Sequence, residues 1–539
     1  ISIGNLKAAY SDDKMLIFYI KHNTESEINS LSKLMTYLSG EDVIKQIEPN
    51  LTGDIAKIKW LREAISKVNS PSGTINGKPV NIRLGEYIFD SSKAEGIFKD
   101  ISYNSEEWTR VKQNALLKLN DSQLKAVLTA IHANDLCLLQ GPPGTGKTTV
   151  IAELIWQLIT LSQAGRILLT SETNLAVDNA IEKLINKEHT LVKPLRIGRS
   201  ARFEEEGRKY AIDRILKWID DKYEVSEYEE SSLDAKEGTV DSKPENNYNN
   251  AVQLWMNRIA DKSVTASDSK YSDVLTEWSQ DLKQPTKSTK ELFKNKYFEN
   301  VNVFGCTCSS TGSPSFKRNF HEVFNAKTDY ISENEKIARL PVEFDTVIMD
   351  EASKATPPEM LLPLCFGRKS VVIGDHKQLP PMLNEKEFRE ALLELKNEKA
   401  ILLANEIDNE FISTSQFEKL IMNPKIDSTI VSRLNIQYRM HPKINNVIRQ
   451  FYTSESDEGL EPAPEIISNC DAVDLSNPFS RYHGFRNEGF INPDVHTIWV
   501  NVNEPEEKIG TSRMNIKEVE VVRTVLQYLK KSRGFEEYM

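Results

Sequence analysis

A glycine-rich segment at residues 141–148 carries the strongest chemical signal in the sequence, GPPGTGKT. It follows the apolar residues 136–140 and precedes a helical pattern, which is the context that a phosphate-binding loop requires. Glycines let backbone N–H groups close around phosphate oxygens at a helix N-terminus. We expect Lys147 to reach the β- and γ-phosphates and Thr148 to supply its hydroxyl to Mg²⁺. Alone, the segment predicts a nucleoside triphosphatase and nothing narrower.

Two adjacent carboxylates, Asp350 and Glu351, end a second apolar stretch at residues 346–349. Open parallel sheets bind their ligands at the carboxyl ends of strands. Asp350 suits the outer coordination sphere of Mg²⁺, and Glu351 suits a base that orients and deprotonates the attacking water. Acidic residues at strand ends are often only surface residues. Their combination with the phosphate loop favours the catalytic interpretation.

A third apolar stretch, residues 371–373, is followed by a polar loop that contains Gln378. A neutral amide can hydrogen-bond both the γ-phosphate and the attacking water, so Gln378 would report the loss of phosphate. The alternative is an ordinary strand and turn, in which His376 and Lys377 are solvated loop residues.

Two further segments have side chains suited to a nucleotide. Gln123 begins a probable helix and carries the donor and acceptor that an adenine edge requires, although alone it reads as a helix cap. Tyr438 and Arg439 place an aromatic ring beside a guanidinium, a pair that can stack on a base and clamp a phosphate.

The elements that position these residues alternate between strands and helices, which predicts an α/β fold with a parallel sheet. Helices are expected from Lys147 and from Leu175. The expected strands are residues 136–140, 167–170, 301–307, 346–350 and 370–374.

The intervening and flanking segments are predicted to differ from this pattern. Residues 205–300 form an insertion, acidic and polar at 220–250, with helices around 251–260 and 269–282. A second, charged and helical insertion covers 384–411. A strand at 497–502 and a helix at 515–531 begin another α/β unit. In the first hundred residues, a strand at 16–20, a helical stripe at 28–38 and a hairpin turn at Asn76–Gly77 predict a small mixed α+β domain.

Composition restricts the class of protein. The chain has 539 residues, with 68 Lys and Arg against 79 Asp and Glu, a net charge of -11, so any nucleic-acid site must be a local groove. No apolar run reaches the roughly 18 to 20 residues of a membrane span, which predicts a soluble protein. Five cysteines, an odd number, favour a reducing, cytoplasmic compartment over a disulfide framework. Only Cys306 and Cys308 are close together, and their spacing makes zinc unlikely.

Together, these segments resemble the superfamily 1 helicases, specifically the up-frameshift-like branch of superfamily 1B, over residues 119–531 apart from the insertions. The segments that carry the resemblance are Asn120 with Gln123, the phosphate loop, and residues 171–178, 306–308, 350–353, 374–381, 415–420 and 437–442. The resemblance implies a RecA-like P-loop fold with helices on both faces of the sheet, and two RecA-like lobes with ATP and Mg²⁺ between them. It also implies that single-stranded RNA or DNA lies across both lobes and that translocation runs 5′ to 3′.

The resemblance also implies roles for individual residues. Gln123 and Tyr438 would hold adenine, Arg439 would touch the γ-phosphate, and Asn174 and Thr307 would contact the nucleic-acid backbone. The predicted catalytic residues are Lys147, Glu351, Gln378 and Arg439. The predicted nucleotide-binding residues are Gln123, Gly144, Thr145, Gly146, Lys147, Thr148, Thr149 and Tyr438, and the predicted metal ligands are Thr148 and Asp350.

The implied domain division is uneven. Residues 1–110 are an accessory N-terminal domain, 111–205 and 300–430 the first RecA-like lobe, 206–299 a helical and disordered insertion, and 431–539 the beginning of an incomplete second lobe. The sequence departs from the family at Lys354, where many members carry Gln. The later second-lobe motifs, with a second arginine, do not follow residues 512–518, so this chain is expected to hydrolyse ATP poorly.

Two alternatives remain at this stage. One is an ATP-binding nucleic-acid clamp or assembly platform without motor activity. The other, a ring-forming AAA+ ATPase, shares the phosphate loop but not residues 374–381 and 437–442. The sequence does not distinguish RNA from DNA, because backbone contacts carry no base information. Protein partners could use the N-terminal domain or the insertion, and the absence of a zinc-rich region before the motor favours a bacterial source.

Overall fold

The computed structural model describes most of the chain beyond residue 77. The described residues are 5–6, 18–19, 52–69, 78–161, 165–185, 191–198, 200–220, 250–265, 272–324, 342–381, 385–408, 414–453, 459–474, 476–486, 492, 494–509 and 512–532. The predicted helical stripe at 28–38, the hairpin turn at Asn76–Gly77 and most of the acidic stretch at 220–250 lie outside them. Phe18–Tyr19, within the predicted strand at 16–20, pairs antiparallel with Asn5–Leu6.

A seven-stranded, wholly parallel sheet forms the centre of the described structure. Its strands are β1 (Leu136–Gln140), β2 (Ile167–Ser171), β3 (Pro194–Arg196), β4 (Val303–Thr307), β5 (Phe344–Asp350), β6 (Gly367–Gly374) and β7 (Val431–Arg433). Their order across the sheet is β3-β4-β2-β5-β6-β1-β7. The predicted α/β, RecA-like fold is therefore confirmed, and β6 separates the phosphate-loop strand β1 from the carboxylate strand β5.

The central strands form because their sequences are nearly continuous apolar runs. All five residues of β1 and of β2 are buried, as expected of parallel strands covered on both faces. The two edge strands, β3 and β7, have three residues each and were not predicted. Runs of that length have no readable periodicity, and only pairing with β4 and β1 defines them.

Helices connect and flank these strands. Those of six or more residues are α1 (Thr52–Asn69), α2 (Glu106–Gln113), α3 (Asp121–His132), α4 (Lys147–Thr160), α5 (Asn174–Ile185), α6 (Ile212–Ile219), α7 (Ala251–Thr265), α8 (Ser272–Lys283), α9 (Lys287–Glu299), α10 (Pro314–Phe324), α11 (Pro357–Leu364), α12 (Glu385–Glu394), α13 (Glu398–Glu406), α14 (Gln416–Ile421), α15 (Pro442–Ile448), α16 (Pro464–Asn469) and α17 (Ile516–Lys531). The helices predicted from Lys147 and Leu175, within both insertions and at 515–531 are present.

The strand predicted at residues 497–502 is wrong. That segment is irregular, and the neighbouring strands are instead the antiparallel pair Glu507–Ile509 and Ser512–Met514. The apolar pattern is real, but Trp499 is 91% exposed and no described strand pairs with the segment. A strand needs a neighbour to satisfy its backbone hydrogen bonds, so the pattern alone does not produce one.

Residues 52–69 and 78–111 pack on the same hydrophobic core as the sheet. Ala64 and Val68 of α1 are buried in that core, together with Tyr87 and Val111. The ammonium of Lys57 also forms an ion pair, 2.5 Å, with Glu359 of α11. The predicted domain boundary at residue 110 stays a prediction, and the core continues across it. No helix among the described residues is both long and apolar enough to cross a bilayer.

Candidate active site

The phosphate loop joins β1 to α4 in a conformation that requires glycine at two positions. Gly144 and Gly146 have φ values of 77° and 81°, in the left-handed region. A Cβ at Gly144 would lie 2.6 Å from the Cβ of Arg439, and one at Gly146 would lie 2.6 Å from Nε2 of Gln123. Gln123, a predicted nucleotide-binding residue, and Arg439, a predicted catalytic residue, therefore approach the loop backbone as closely as glycine permits.

Lys147 begins α4 and folds back over the loop. Its ammonium donates a 2.6 Å hydrogen bond to the carbonyl oxygen of Gly141. Burial lowers the pKa of Lys147, and the nearby carboxylates of Asp350, Asp375 and Glu351 oppose that shift. The cation lies where strands β1, β5 and β6 end, which fits a bound triphosphate.

Asp350 and Glu351 differ in environment although they are adjacent. Asp350 is buried, and burial raises its pKa to about 6 against the attraction of Lys147. The backbone N–H of Glu351 donates to its Oδ1 at 2.8 Å. Glu351 itself has φ of 55°, a left-handed conformation that is uncommon for glutamate and is often found at functional sites. Its carboxylate lies 3.2 Å from the ammonium of Lys354, at the surface.

The loop after β6 holds Gln378 through Asp375. The side-chain amide of Gln378 donates to Oδ2 of Asp375 at 2.9 Å, and the hydroxyl of Tyr452 donates to the same oxygen at 2.6 Å. Tyr452 was not predicted, because it is remote in sequence and belongs to no recognisable motif. Asp375 therefore links the predicted γ-phosphate sensor to the segment that follows α15.

The residues predicted to hold adenine converge on the phosphate loop. Gln123 completes a capping box with Asn120 at the start of α3, and its Nε2 donates to the carbonyl oxygen of Thr145 at 3.0 Å. Asn120 donates to the hydroxyl of Tyr438 at 3.0 Å, and the backbone N–H of Tyr438 donates to the Gly144 carbonyl oxygen at 2.8 Å. The cap interpretation of Gln123 and its predicted place beside the nucleotide are thus compatible.

Arg439 reaches the site from beyond β7. Its backbone N–H donates to Oε1 of Gln437 at 2.8 Å, which fixes the turn that carries it. Arg481, which the sequence did not single out, donates to the carbonyl oxygens of Tyr438 and Arg439 at 2.5 and 2.7 Å. Because both hydrogen bonds go to backbone atoms, the sequence around Arg481 does not indicate that it supports the turn carrying Arg439.

A cavity of 1690 Å³ lies between the phosphate loop and this segment. It is lined by Gln123, Tyr438, Arg439 and residues 144–149, and also by Lys183 and Lys377. Asp350 and Glu351 do not line it, although they adjoin Lys147. Both carboxylates nevertheless lie at the carboxyl end of β5, where parallel sheets bind their ligands. The glycine cradle, the half-buried cation of Lys147 and the buried carboxylate of Asp350 fit a Mg²⁺-bound nucleoside triphosphate.

The predicted nucleic-acid contacts lie at the same edge of the sheet. Asn174 begins α5, and its Oδ1 accepts a 3.2 Å hydrogen bond from the guanidinium of Arg196. Arg196 is wholly buried and paired with Asp178 at 2.6 Å. Thr307 ends β4 opposite Ser171 of β2, and its hydroxyl shares a 2.7 Å hydrogen bond with Ser310. The structure therefore places the start of α5 and the end of β4 side by side.

One cluster that the sequence did not predict contains two histidines and an aspartate. The Nε2 atom of His441 lies 3.1 Å from Oδ1 of Asp471, and the ring of His496 stacks on His441 at 3.5 Å. However, Nδ1 of His441 accepts from the backbone N–H of Lys443, so its Nε2 carries the proton toward Asp471. That tautomer leaves His441 no lone pair for a metal, and the arrangement is a helix cap. All five cysteines are buried free thiols.

Comparison with known proteins extends the resemblance beyond motifs. Two family models, each described as an AAA domain, match residues 118–386 and 412–537. The chain is 27% identical over 432 residues to an uncharacterized ATP-dependent helicase of Methanocaldococcus jannaschii, covering 77% of this chain and 56% of that protein. It is 27% identical to the DNA polymerase alpha-associated DNA helicase A of Saccharomyces cerevisiae (69% and 45% covered). It is 26% identical to the ATP-dependent helicase upf1 of Schizosaccharomyces pombe (69% and 32%). The chain thus spans about half, or less, of the length of these curated relatives, which are archaeal and eukaryotic.

Proposed function

Because the chain belongs to superfamily 1B of the helicases, we propose that it couples ATP hydrolysis to 5′-to-3′ movement along single-stranded nucleic acid. The observation that carries the proposal is the contact between the phosphate loop and the segment beyond β7. The backbone hydrogen bond from Tyr438 to Gly144 and the approach of Arg439 to the same glycine bring two parts of the chain to one nucleotide site. A site built this way can open and close with nucleotide state.

The chemistry assigned to the site is phosphoryl transfer to water. Lys147 and Arg439 offset the charge that develops on the γ-phosphate, and Glu351 orients and deprotonates the attacking water. Mg²⁺, when bound with ATP, would be held by Thr148 and Asp350 and would neutralise phosphate charge. Gln378, held by Asp375 in this structure, would exchange that partner for the γ-phosphate. Asp375 would then retain Tyr452.

The coupling to nucleic acid depends on differential affinity. A nucleotide drives movement only if its bound and hydrolysed states grip the strand differently. The proposed backbone contacts are Asn174, which begins α5 after β2, and Thr307, which ends the neighbouring strand β4. Contacts to the sugar-phosphate backbone, rather than to base edges, would give binding without sequence preference.

The alternative, an ATP-dependent clamp or platform, uses the same first lobe without movement. The description of both matched families as AAA domains would also fit a ring-forming ATPase, but the three relatives reported above are named as helicases. Those names describe the relatives. For this chain the motor remains our proposal.

The decisive experiment measures ATP hydrolysis by this chain alone, with single-stranded RNA and with single-stranded DNA. Stimulation by one polymer supports the motor and identifies its track. Nucleotide binding without stimulation by either polymer contradicts the motor and favours the clamp.

A further inference from the structure

We propose that Lys183 is a further nucleotide-binding residue whose ammonium contacts the α-phosphate. The proposal rests on the proposed function only in that the phosphate loop binds a nucleotide. Lys183 lies near the end of α5, outside the segments by which the sequence resembles its family, and lines the same cavity as residues 144–149.

The position of Lys183 is set by the packing of α5 against α4. Its ammonium donates a 2.6 Å hydrogen bond to the hydroxyl of Thr149, in the first turn of α4. Thr149 follows directly after Lys147 and Thr148, the residues expected to hold the β- and γ-phosphates and Mg²⁺. The Lys183 ammonium is therefore delivered to the N-terminal turn at which helices bind phosphate.

The side of the triphosphate that Lys183 faces follows from its neighbours. A Cβ built at Gly146 would lie 2.6 Å from Nε2 of Gln123 and 3.5 Å from the hydroxyl of Thr149. Thr149 therefore lies on the side of the loop that faces Gln123, the predicted adenine contact, while Lys147 folds back toward Gly141. The nucleoside end of the triphosphate is its α-phosphate, and the backbone N–H groups of a phosphate loop hold the α- and β-phosphates.

The charge environment favours an anion at this point. Within the described part of the chain, no carboxylate lies within ion-pair distance of the Lys183 ammonium, and a neutral hydroxyl is its hydrogen-bond partner. The Lys183 side chain is largely exposed, and partial desolvation of its ammonium lowers its pKa, against the attraction of Glu182. A phosphate oxygen would replace a neutral acceptor with a charged one, and charge-assisted hydrogen bonds are roughly twice as strong.

The placement has a consequence for α5 as a whole. Asn174, the proposed nucleic-acid contact, begins this helix, and Lys183 lies nine residues further, about 14 Å along the axis at 1.5 Å per residue. One rigid element would then carry contacts to both ligands. Both contacts would belong to the first lobe.

The test is the affinity of Lys183→Met for ADP and for ATP, measured with fluorescent analogues in the absence of nucleic acid. The exposed Lys112→Met, on α2 and away from the cavity, is the matched control, and thermal unfolding checks that both variants fold. We expect Lys183→Met to weaken ADP and ATP binding by a similar factor, on the order of tenfold. Lys183→Arg should restore most of the affinity, and Lys112→Met should not change it.

Three outcomes would overturn the assignment. Unchanged affinity for both nucleotides would mean that Lys183 only caps Thr149. A loss confined to ATP would place the ammonium at the γ-phosphate instead. An equal loss in the Lys112→Met control would show a general effect of charge. Because no polymer is present, a chain that fails as a motor can still pass this test, so the two proposals fail separately.

Discussion

The ammonium of Lys147 donates a hydrogen bond to the carbonyl oxygen of Gly141, and among the described residues it forms no ion pair. Its replacement by alanine removes the cation and leaves the loop backbone in place. We expect Lys147→Ala to weaken ATP binding by at least about a hundredfold, because a half-buried cation forms several charge-assisted contacts with phosphate. Titration calorimetry with ATP measures it, with Lys112→Met as the matched control. Unchanged affinity would count against the site assignment.

A substitution at Glu351 separates ATP hydrolysis from ATP binding. Glu351→Gln keeps the shape of the side chain and its left-handed backbone but removes the base. We expect ATP to remain bound while turnover falls about a hundred- to ten-thousand-fold, the usual contribution of a general base. The exposed partner Lys354 provides a control. Since surface ion pairs contribute little, Lys354→Gln should change turnover by less than about threefold. Undiminished turnover in Glu351→Gln would exclude it as the base.

At the scale of elements, the loop after β6 depends on a hydrogen bond from a distant segment. Tyr452→Phe removes the 2.6 Å hydrogen bond to Asp375 and leaves that buried carboxylate with fewer donors. We expect the free energy of unfolding to fall by about 1–3 kcal/mol, measured by urea denaturation. Tyr103→Phe, at a ring that is 61% exposed, should have no effect. Equal stability of the two variants would show that the Tyr452 contact is not formed in solution.

Lys369, on strand β6, is expected to make the stability of the chain depend on pH. The ammonium of Lys369 donates to the carbonyl oxygens of Ala130 and Ile131 at the end of α3, and burial lowers its pKa to about 8. The unfolded chain keeps the ordinary value near 10.4, so between these two pKa values it binds more protons than the folded chain. Stability from this group therefore rises as pH rises from about 8 to 10.

Lys369→Met isolates that effect from all other titrating groups. Urea denaturation at pH 7.5 and pH 10 gives the difference in unfolding free energy between the original chain and the variant at each pH. We expect this difference to move by roughly 2 kcal/mol in favour of the original chain at the higher pH. Parallel pH curves would mean that Lys369 is not buried as described.

The elements that the sequence predicted are those whose own residues determine them. Strands β1 and β2 are apolar over their whole length and lead into polar loops, so both pattern and chemistry were readable. β3 and β7 were missed because three residues form a strand only where a neighbouring edge is available. The segment 497–502 shows the opposite: it has the apolar pattern of a strand, but no described strand pairs with it.

The same distinction applies to the site. Lys147, Asp350 and Gln378 were predicted because each lies in a short segment whose adjacent residues all suit the same part of the reaction. Their supports, Tyr452 and Arg481, were not, because each acts through a hydrogen bond across the fold. A single sequence contains no record of such pairs. Lys183 shows the same limit, since only the packing of α5 on α4 brings it to Thr149.

At the scale of the whole molecule, the proposed motor requires that ATP binding and nucleic-acid binding affect each other by a measurable factor. If ATP changes the affinity for a nucleic-acid strand by some factor, the strand must change the affinity for ATP by the same factor. The contact of Tyr438 with Gly144 and the position of Asn174 on α5 place both proposed sites on connected elements. The coupling factor is therefore the property that separates a motor from a platform.

Glu351→Gln makes this factor measurable, because ATP should stay bound without turnover. The affinity of a labelled single-stranded oligonucleotide is measured with ATP, with ADP and without nucleotide, and ATP affinity is measured with and without the oligonucleotide. We expect ATP to change the oligonucleotide affinity at least about fivefold relative to no nucleotide, within the usual range of coupling energies. Equality of the two reciprocal factors checks the measurement itself. A factor of one, with both ligands bound, contradicts a motor, since a nucleotide that binds both states equally well shifts no conformational equilibrium.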